Sequence, residues 1–140
     1  MAFYQNMSRL RQVAVWVLRL AVSAEFAWHG ILALRGEQEW LGWFPRFGVA
    51  DAQLASRLLF LIGLLDLTVA AIILIKPLRP VIVWAVIWGT WTAIVETITS
   101  GQAMEFFEEW ANWGLPLALL VFFKTKTRVK QRGLIGKNKN

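Results

Sequence analysis

The sequence predicts an all-α integral membrane protein, a bundle of four transmembrane helices in which residues 1–140 form a single domain. Three observations support this prediction. Of the 140 residues, 57% are hydrophobic and only 17% are charged, whereas a soluble domain of this length carries more charge. The apolar residues fall into four stretches, and the segments between these stretches alternate in charge. Together these features are typical of a multi-pass membrane protein.

Each apolar stretch is interpreted as a helix, because backbone groups in lipid must be hydrogen-bonded within their own segment. A helix needs about 20 residues to cross the hydrocarbon layer, and the first three stretches meet that requirement. The fourth is the weakest, since Glu108 and Glu109 lie in its first turn. Pro77 and Pro80 predict a tight turn between the second and third stretches. The predicted spans are residues 13–34, 53–75, 81–99 and 106–123.

The first stretch also has two features of a cleaved signal peptide. It follows a basic start at Arg9 and Arg11, and it contains Val22-Ser23-Ala24, which has the form of a cleavage site. However, Arg19 interrupts the apolar run too early for the apolar region of a signal peptide. We therefore expect this stretch to be a membrane span.

The charges between the spans predict the orientation. The N-terminal tail, the Pro77 turn and the tail 124–140 are basic and carry no acidic residue, whereas the other two loops are predominantly acidic. Because basic loops remain in the cytoplasm, both termini and the Pro77 turn are predicted to be cytoplasmic. The net charge of +6 is thus a topology signal and favours contact with anionic lipid. No nucleic-acid partner is expected.

Aromatic residues are concentrated in the two acidic loops. The first loop contains Trp40, Trp43, Phe44 and Phe47, and the second runs through an aromatic segment at 106–113. We favour the interpretation that these rings form a belt in the membrane interface. The alternative is that they form the mouth of a cavity for a flat amphiphile.

Six ionisable residues lie inside the predicted spans. Each costs about 2.5–3.5 kcal/mol at the membrane midplane, so each needs a partner or a function. Depths estimated from the helical rise of ~1.5 Å per residue predict two layers. The inner layer is a structural ion pair of Arg19 and Asp66. The outer layer is a cluster of Glu25, His29, Arg57 and Glu96.

The outer cluster predicts a proton-handling ligand site. Glu25 and His29 are four residues apart and therefore share a helix face, and a histidine beside carboxylates titrates near neutral pH. His29 and Glu25 are the candidate catalytic residues, because a proton-coupled site needs such a group. The predicted ligand-binding residues are Arg57, Glu96, Trp88 and Trp91.

A purely structural interpretation remains open for the same residues. Buried ion pairs also serve to fix the register of a bundle, and the tryptophan stripe that contains Trp88 and Trp91 is more often packing than a cofactor site. Arg57 and Asp66 are nine residues apart and so lie on opposite sides of their helix. One of these two is therefore expected to face another helix or a protein partner.

The residue types exclude some kinds of site and disfavour others. The chain has no cysteine, so it has no disulfide, thiolate nucleophile or thiolate-ligated metal. No metal is predicted, since the single His with Glu25 offers two ligands and Glu96 only a third. A haem would have one axial histidine, and the glycines form no phosphate-binding motif.

Several short motifs resemble the DoxX-like family of small four-helix bacterial membrane proteins. They are Arg19 with Phe26-Ala27-Trp28-His29-Gly30, the segment Gly63-Leu64-Leu65-Asp66-Leu67-Thr68, and Phe44-Pro45 followed by Phe47-Gly48. The resemblance covers about residues 9–123. This chain departs from the family at Asp66, where a glutamate is usual, and at 31–34, where a lysine is frequent.

The resemblance implies a location in the bacterial inner membrane. Some members of the family are subunits of oxidoreductases that pass electrons from sulfur compounds to quinone, and others assist the assembly of membrane proteins. We therefore expect a subunit that binds a quinone-like or other amphiphilic ligand and supports a membrane redox complex; whether it is itself an enzyme stays open. The alternative is a non-enzymatic scaffold or assembly factor. Ion conduction ranks last, because four helices enclose little space unless the chain forms a homo-oligomer.

Overall fold

The computed structural model describes the backbone of residues 2–137 and the side chains of residues 9–123. All regular secondary structure in this part of the chain is helical, which confirms the predicted all-α class. Two short helices and one 3-10 turn (Phe44–Phe47) lie between long helices. The helices are α1 (Ala2–Leu34), α2 (Gln38–Leu41), α3 (Ala52–Ile75), α4 (Arg79–Ser100), α5 (Glu105–Glu108) and α6 (Trp110–Lys137).

Three segments are long and apolar enough to cross a membrane, namely Arg9–Leu34, Ala52–Ile75 and Arg79–Ser100. They coincide with the first three predicted spans. The fourth predicted span, 106–123, is divided, because α5 ends before Glu109 and α6 begins after it. Its apolar part, Trp110–Phe123, is shorter than these three segments. The basic tail 124–140 lies outside the residues whose side chains are described.

The ends of α3 and α4 show why the chain turns where it does. Asp51 caps α3, since its side chain accepts a 2.7 Å hydrogen bond from the backbone N–H of Leu54. Residues 76–78 connect α3 to α4, and Pro80 follows in the first turn of α4, where a missing N–H costs nothing. Gly101 ends α4 with a φ of 74°, a conformation that favours glycine. The predicted turn around Pro77 is confirmed.

The long helices pack as two pairs. Helix α1 packs most extensively against α3, and α4 packs most extensively against α6; α1 also contacts α6, but α3 and α4 touch little. The α1–α3 contact is close because two glycines face each other. A Cβ on Gly63 would lie only 2.8 Å from the carbonyl oxygen of Gly30. Small residues of this kind let two helix backbones approach closely in a membrane.

The α4–α6 contact depends on a proline and a glycine. Pro116 lies inside α6 and has no N–H, so the carbonyl of Asn112 lacks its usual donor within the helix. Gly89 of α4 lies against that carbonyl, and a Cβ there would be 2.0 Å from the Asn112 oxygen. Only a residue without a side chain leaves room for this approach.

The closed part of the core lies toward the Pro77 end of the bundle, where both pairs meet. Its residues are aliphatic or aromatic, and several are completely buried. Toward the other end, where α1 and α4 end and α3 begins, the pairs separate and leave a cavity. The core cluster contains Val22, Phe26, Val69, Ala70, Ile73, Ile82, Ala85 and Leu119.

Candidate ligand cavity

A cavity of about 340 Å³ lies between the two helix pairs. This volume falls within the range of small-molecule sites, about 300–1,000 Å³. Residues of α1, α3, α4 and α6 line it, together with the loop that joins α1 to α3. The cavity end is the part of the bundle that surrounds this space, and the Pro77 end is the opposite part.

The structure brings Glu25, His29 and Glu96 of the predicted cluster to this cavity. Glu25 and His29 share one face of α1, as their spacing predicts. The His29 Nδ1 donates a 3.0 Å hydrogen bond to the backbone carbonyl of Glu25 and lies 3.7 Å from the Glu25 Oε1. With Nδ1 engaged as a donor, the Nε2 of a neutral His29 is the nitrogen that accepts a proton.

Tryptophans of α4 and of the loop between α1 and α3 form walls of the cavity. Trp88 and Trp91 of α4 line the cavity, as expected from the sequence. From the loop, Trp40 stacks on the His29 ring at a centroid distance of 5.6 Å and an interplanar angle of 18°. Phe47 contacts Trp91 with a centroid distance of 6.5 Å. These rings place aromatic surface on two sides of the space.

The two aromatic loops behave differently. Trp40, Trp43, Phe44 and Phe47 all line the cavity, which is the arrangement that the sequence analysis ranked second to an interfacial belt. In the other loop, aromatic residues pack on one another instead. Phe106 stacks on Trp113 with a centroid distance of 5.5 Å.

Asp66 also lines the cavity, although the sequence assigned it to an ion pair with Arg19. Its side chain is 4% exposed. The carboxyl group interacts with the Trp88 indole, but its Oδ1 has no hydrogen-bond partner among the described residues. A buried acceptor without a partner is unusual and calls for an explanation.

The predicted ion pair between Arg19 and Asp66 does not form in the structure. The Arg19 guanidinium instead donates to backbone carbonyls at the end of α3, at 3.1 Å to Ile73 and 3.3 Å to Ile75, with a further bond to Leu74. The reason is the register of the two helices, because the contact between Gly30 and Gly63 sets Asp66 near the level of His29. Arg19 therefore lies beside residues that follow Asp66 in α3 by seven or more positions. Asp66 is thus about 10 Å away from them along the helix axis.

The predicted position of Arg57 in the outer cluster is also wrong. It is exposed on α3 and does not line the cavity. The sequence placed it in the outer cluster by depth, but the helical phase that separates it from Asp66 by half a turn decides its direction. Because Asp66 faces the cavity, Arg57 faces away from it.

Asn112 is a lining residue that the sequence analysis missed. It is 7% exposed, and its Nδ2 donates to the carboxylate of Glu109. Its Oδ1 has no hydrogen-bond partner in the described part of the chain. The signal in the sequence is Pro116 four residues later, which marks an irregular point in α6, but this signal does not show which neighbour the asparagine faces.

Acidic side chains outnumber basic side chains around the cavity. Three carboxyl groups line it, those of Glu25, Asp66 and Glu96, and His29 is the single basic side chain among its lining residues. Further carboxylates of Glu109 and Glu105 act on Glu96 from the surrounding loop. No arginine or lysine lines the cavity.

These groups do not form a metal site. Within residues 9–123, no three His, Asp or Glu side chains are grouped closely enough to hold a metal ion. The ionisable groups are spread over separate walls and are interleaved with aromatic rings. The arrangement is suited to an organic molecule with an apolar body and a polar group. No family model, curated protein or solved structure matches this chain.

Proposed function

We propose that this protein is a small membrane protein that binds an amphiphilic ligand in the cavity between its helix pairs. One observation carries the proposal: ionisable side chains in otherwise apolar helices converge, with stacked aromatic rings, on one space of ligand size. Such residues inside a membrane are costly and usually mark a functional site. With the termini and the Pro77 turn in the cytoplasm, the cavity lies on the opposite side of the membrane.

The resemblance to the DoxX-like family favours a location in the bacterial inner membrane and a role as a subunit that supports a redox complex. A quinone-like molecule is then one candidate ligand. His29 and Glu25 are the proposed proton-handling groups, since a ligand in the cavity would lie beside the His29 ring and the Glu25 carboxylate. Glu96, Trp88 and Trp91 would hold the ligand.

Retained small molecules provide the test. The protein is purified in a mild detergent and its bound molecules are identified by mass spectrometry, beside a His29→Ala variant. We expect an amphiphile with the wild-type protein and at least tenfold less with His29→Ala, whose helices remain folded by circular dichroism. Equal retention by both proteins, or retention by neither after reconstitution in native lipid extract, would contradict the proposal.

A scaffold or assembly role is the second candidate, and exposure of Arg57 favours it. This arginine lies on an apolar helix and has no ion-pair partner among the described residues. A carboxylate on a larger membrane complex, or on a second copy of the chain, would satisfy it. This role would be supported over the first if the chain co-purified stoichiometrically with a larger complex and retained no small molecule. Arg57→Gln should then abolish the co-purification.

A further inference from the structure

We propose that the ligand of this cavity is an organic ammonium ion, a positively charged amine with an apolar body. This inference rests on the proposed function and specifies the class of ligand. It draws on three separate observations: the balance of charge, the aromatic walls, and the hydrogen-bonding groups that lack partners.

The balance of charge favours a cation. Glu25, Asp66 and Glu96 line the cavity, whereas no arginine or lysine does. Arg19 binds the end of α3, and Arg46 reaches the carbonyl of Ile98 at 3.4 Å. His29 adds at most one positive charge. These carboxyl groups attract a bound cation and repel an anion.

The aromatic walls favour an organic cation over a metal ion. The faces of tryptophan rings attract ammonium groups, and clusters of such rings are the usual receptors for alkylated ammonium ions. Trp40, Trp43, Trp88 and Trp91 all line the space. The same rings cover the apolar body of the ligand, which an inorganic ion does not have.

The unpartnered polar atoms of the residues that line the cavity are acceptors. The Asp66 Oδ1 and the Asn112 Oδ1 are both buried without a hydrogen-bond partner in the described structure. Asn112 uses one of its two N–H donors on Glu109, and His29 uses Nδ1 on the carbonyl of Glu25. The cavity wall therefore contains two buried oxygens that are open to a ligand. An ammonium ion suits these oxygens, because they attract its N–H or positively charged N-methyl groups, whereas they repel the carbonyl oxygens of a quinone.

The test uses two probes of the same shape. Benzyltrimethylammonium carries a permanent charge, and neopentylbenzene has carbon in place of the nitrogen. Binding to the protein in phosphatidylglycerol nanodiscs is followed by tryptophan fluorescence. We expect the cation to bind at least tenfold more tightly than the neutral probe. Glu96→Gln should weaken binding of the cation at least fivefold and change that of the neutral probe less than twofold.

Glu37→Gln is the matched control, because Glu37 does not line the cavity; it should leave both affinities unchanged. If the neutral probe or a short-chain quinone binds as tightly as the cation, the inference is overturned while the proposed function stands. If none of the three binds, the proposed function fails as well. An equal loss of both probes in Glu96→Gln would indicate damaged packing and would also overturn the inference.

The ammonium group has two sources, a lipid headgroup or a free molecule. Adding phosphatidylcholine to the nanodiscs separates them. Competition that weakens binding of benzyltrimethylammonium at least threefold assigns the site to a lipid headgroup. Unchanged affinity assigns it to a free organic cation.

Discussion

Arg19 and Asp66 are both ionisable residues buried in apolar helices, 9% and 4% exposed, but their surroundings differ completely. At the Pro77 end, Arg19 donates to the terminal carbonyls of α3 and lies 3.9 Å above the ring of Trp16. At the cavity end, Asp66 faces an open space and one of its oxygens has no partner. A buried charge alone therefore does not identify a functional site.

The difference lies in how completely each group is satisfied. The Arg19 side chain supplies donors to carbonyls that the end of α3 leaves free, so it completes a helix terminus. The groups at the cavity end leave acceptors open, which costs folding free energy unless a ligand binds. A polar group with a full set of partners stabilises the fold, whereas a buried polar group with an incomplete set is a candidate for ligand binding.

Gly89→Ala should produce the largest change, because it breaks the wall of the cavity end. The new Cβ would lie 2.0 Å from the Asn112 carbonyl oxygen, so α4 and α6 must separate. Overpacking of this kind costs about 3 kcal/mol, measured by unfolding in SDS. Gly114→Ala is the control, since its Cβ would meet the Trp110 ring, which can move. Equal losses in both variants would contradict the close contact.

Arg19→Met tests the Pro77 end. It removes the donors from the carbonyls of Ile73, Leu74 and Ile75, so we expect the free energy of unfolding to fall by about 2 kcal/mol. Because Arg19 does not line the cavity, affinity for benzyltrimethylammonium should stay within twofold of wild type. A stable variant with weakened binding would reverse the roles assigned to the two ends.

Asp66→Asn is expected to have the opposite effect. The substitution removes a buried carboxylate whose Oδ1 lacks a partner, so stability should stay constant or rise by up to about 1 kcal/mol. Affinity for benzyltrimethylammonium should fall at least tenfold. Thermal unfolding and probe binding are measured on the same preparation. Loss of stability together with unchanged binding would show that Asp66 stabilises the fold and does not contribute to ligand binding.

Arg57→Gln should produce the smallest change. Since Arg57 is exposed and does not line the cavity, stability should change by less than about 0.5 kcal/mol. Binding of benzyltrimethylammonium should be the same as in the wild type. A tenfold loss of binding would show that Arg57 contributes to the ligand site, which would contradict its position in the structure.

The sequence predicts the parts of this architecture that depend on local patterns. Helix class, the turn at Pro77 and the shared face of Glu25 and His29 follow from hydropathy, proline chemistry and helical periodicity. The same periodicity separates Arg57 from Asp66. Each of these features involves residues that are close in the chain.

The register between helices could not be obtained in this way. Depths obtained from the helical rise assume that the helices begin at the same level. In the structure, α3 contacts α2 in the loop as well as α1, and the contact between Gly30 and Gly63 fixes the offset. That offset moves Asp66 away from Arg19. The position of Asn112 depends in the same way on the contact of α6 with Gly89, which no local pattern specifies.

The pairing of helices has a consequence for how the molecule is assembled. The partners in each pair follow one another along the chain, with only short elements between them, so each pair is a hairpin joined to the other at residues 76–78. Neither hairpin contains the complete cavity. The cavity is thus created at the junction of two halves, and two separately synthesised fragments divided at Lys76 would acquire it only by recombining.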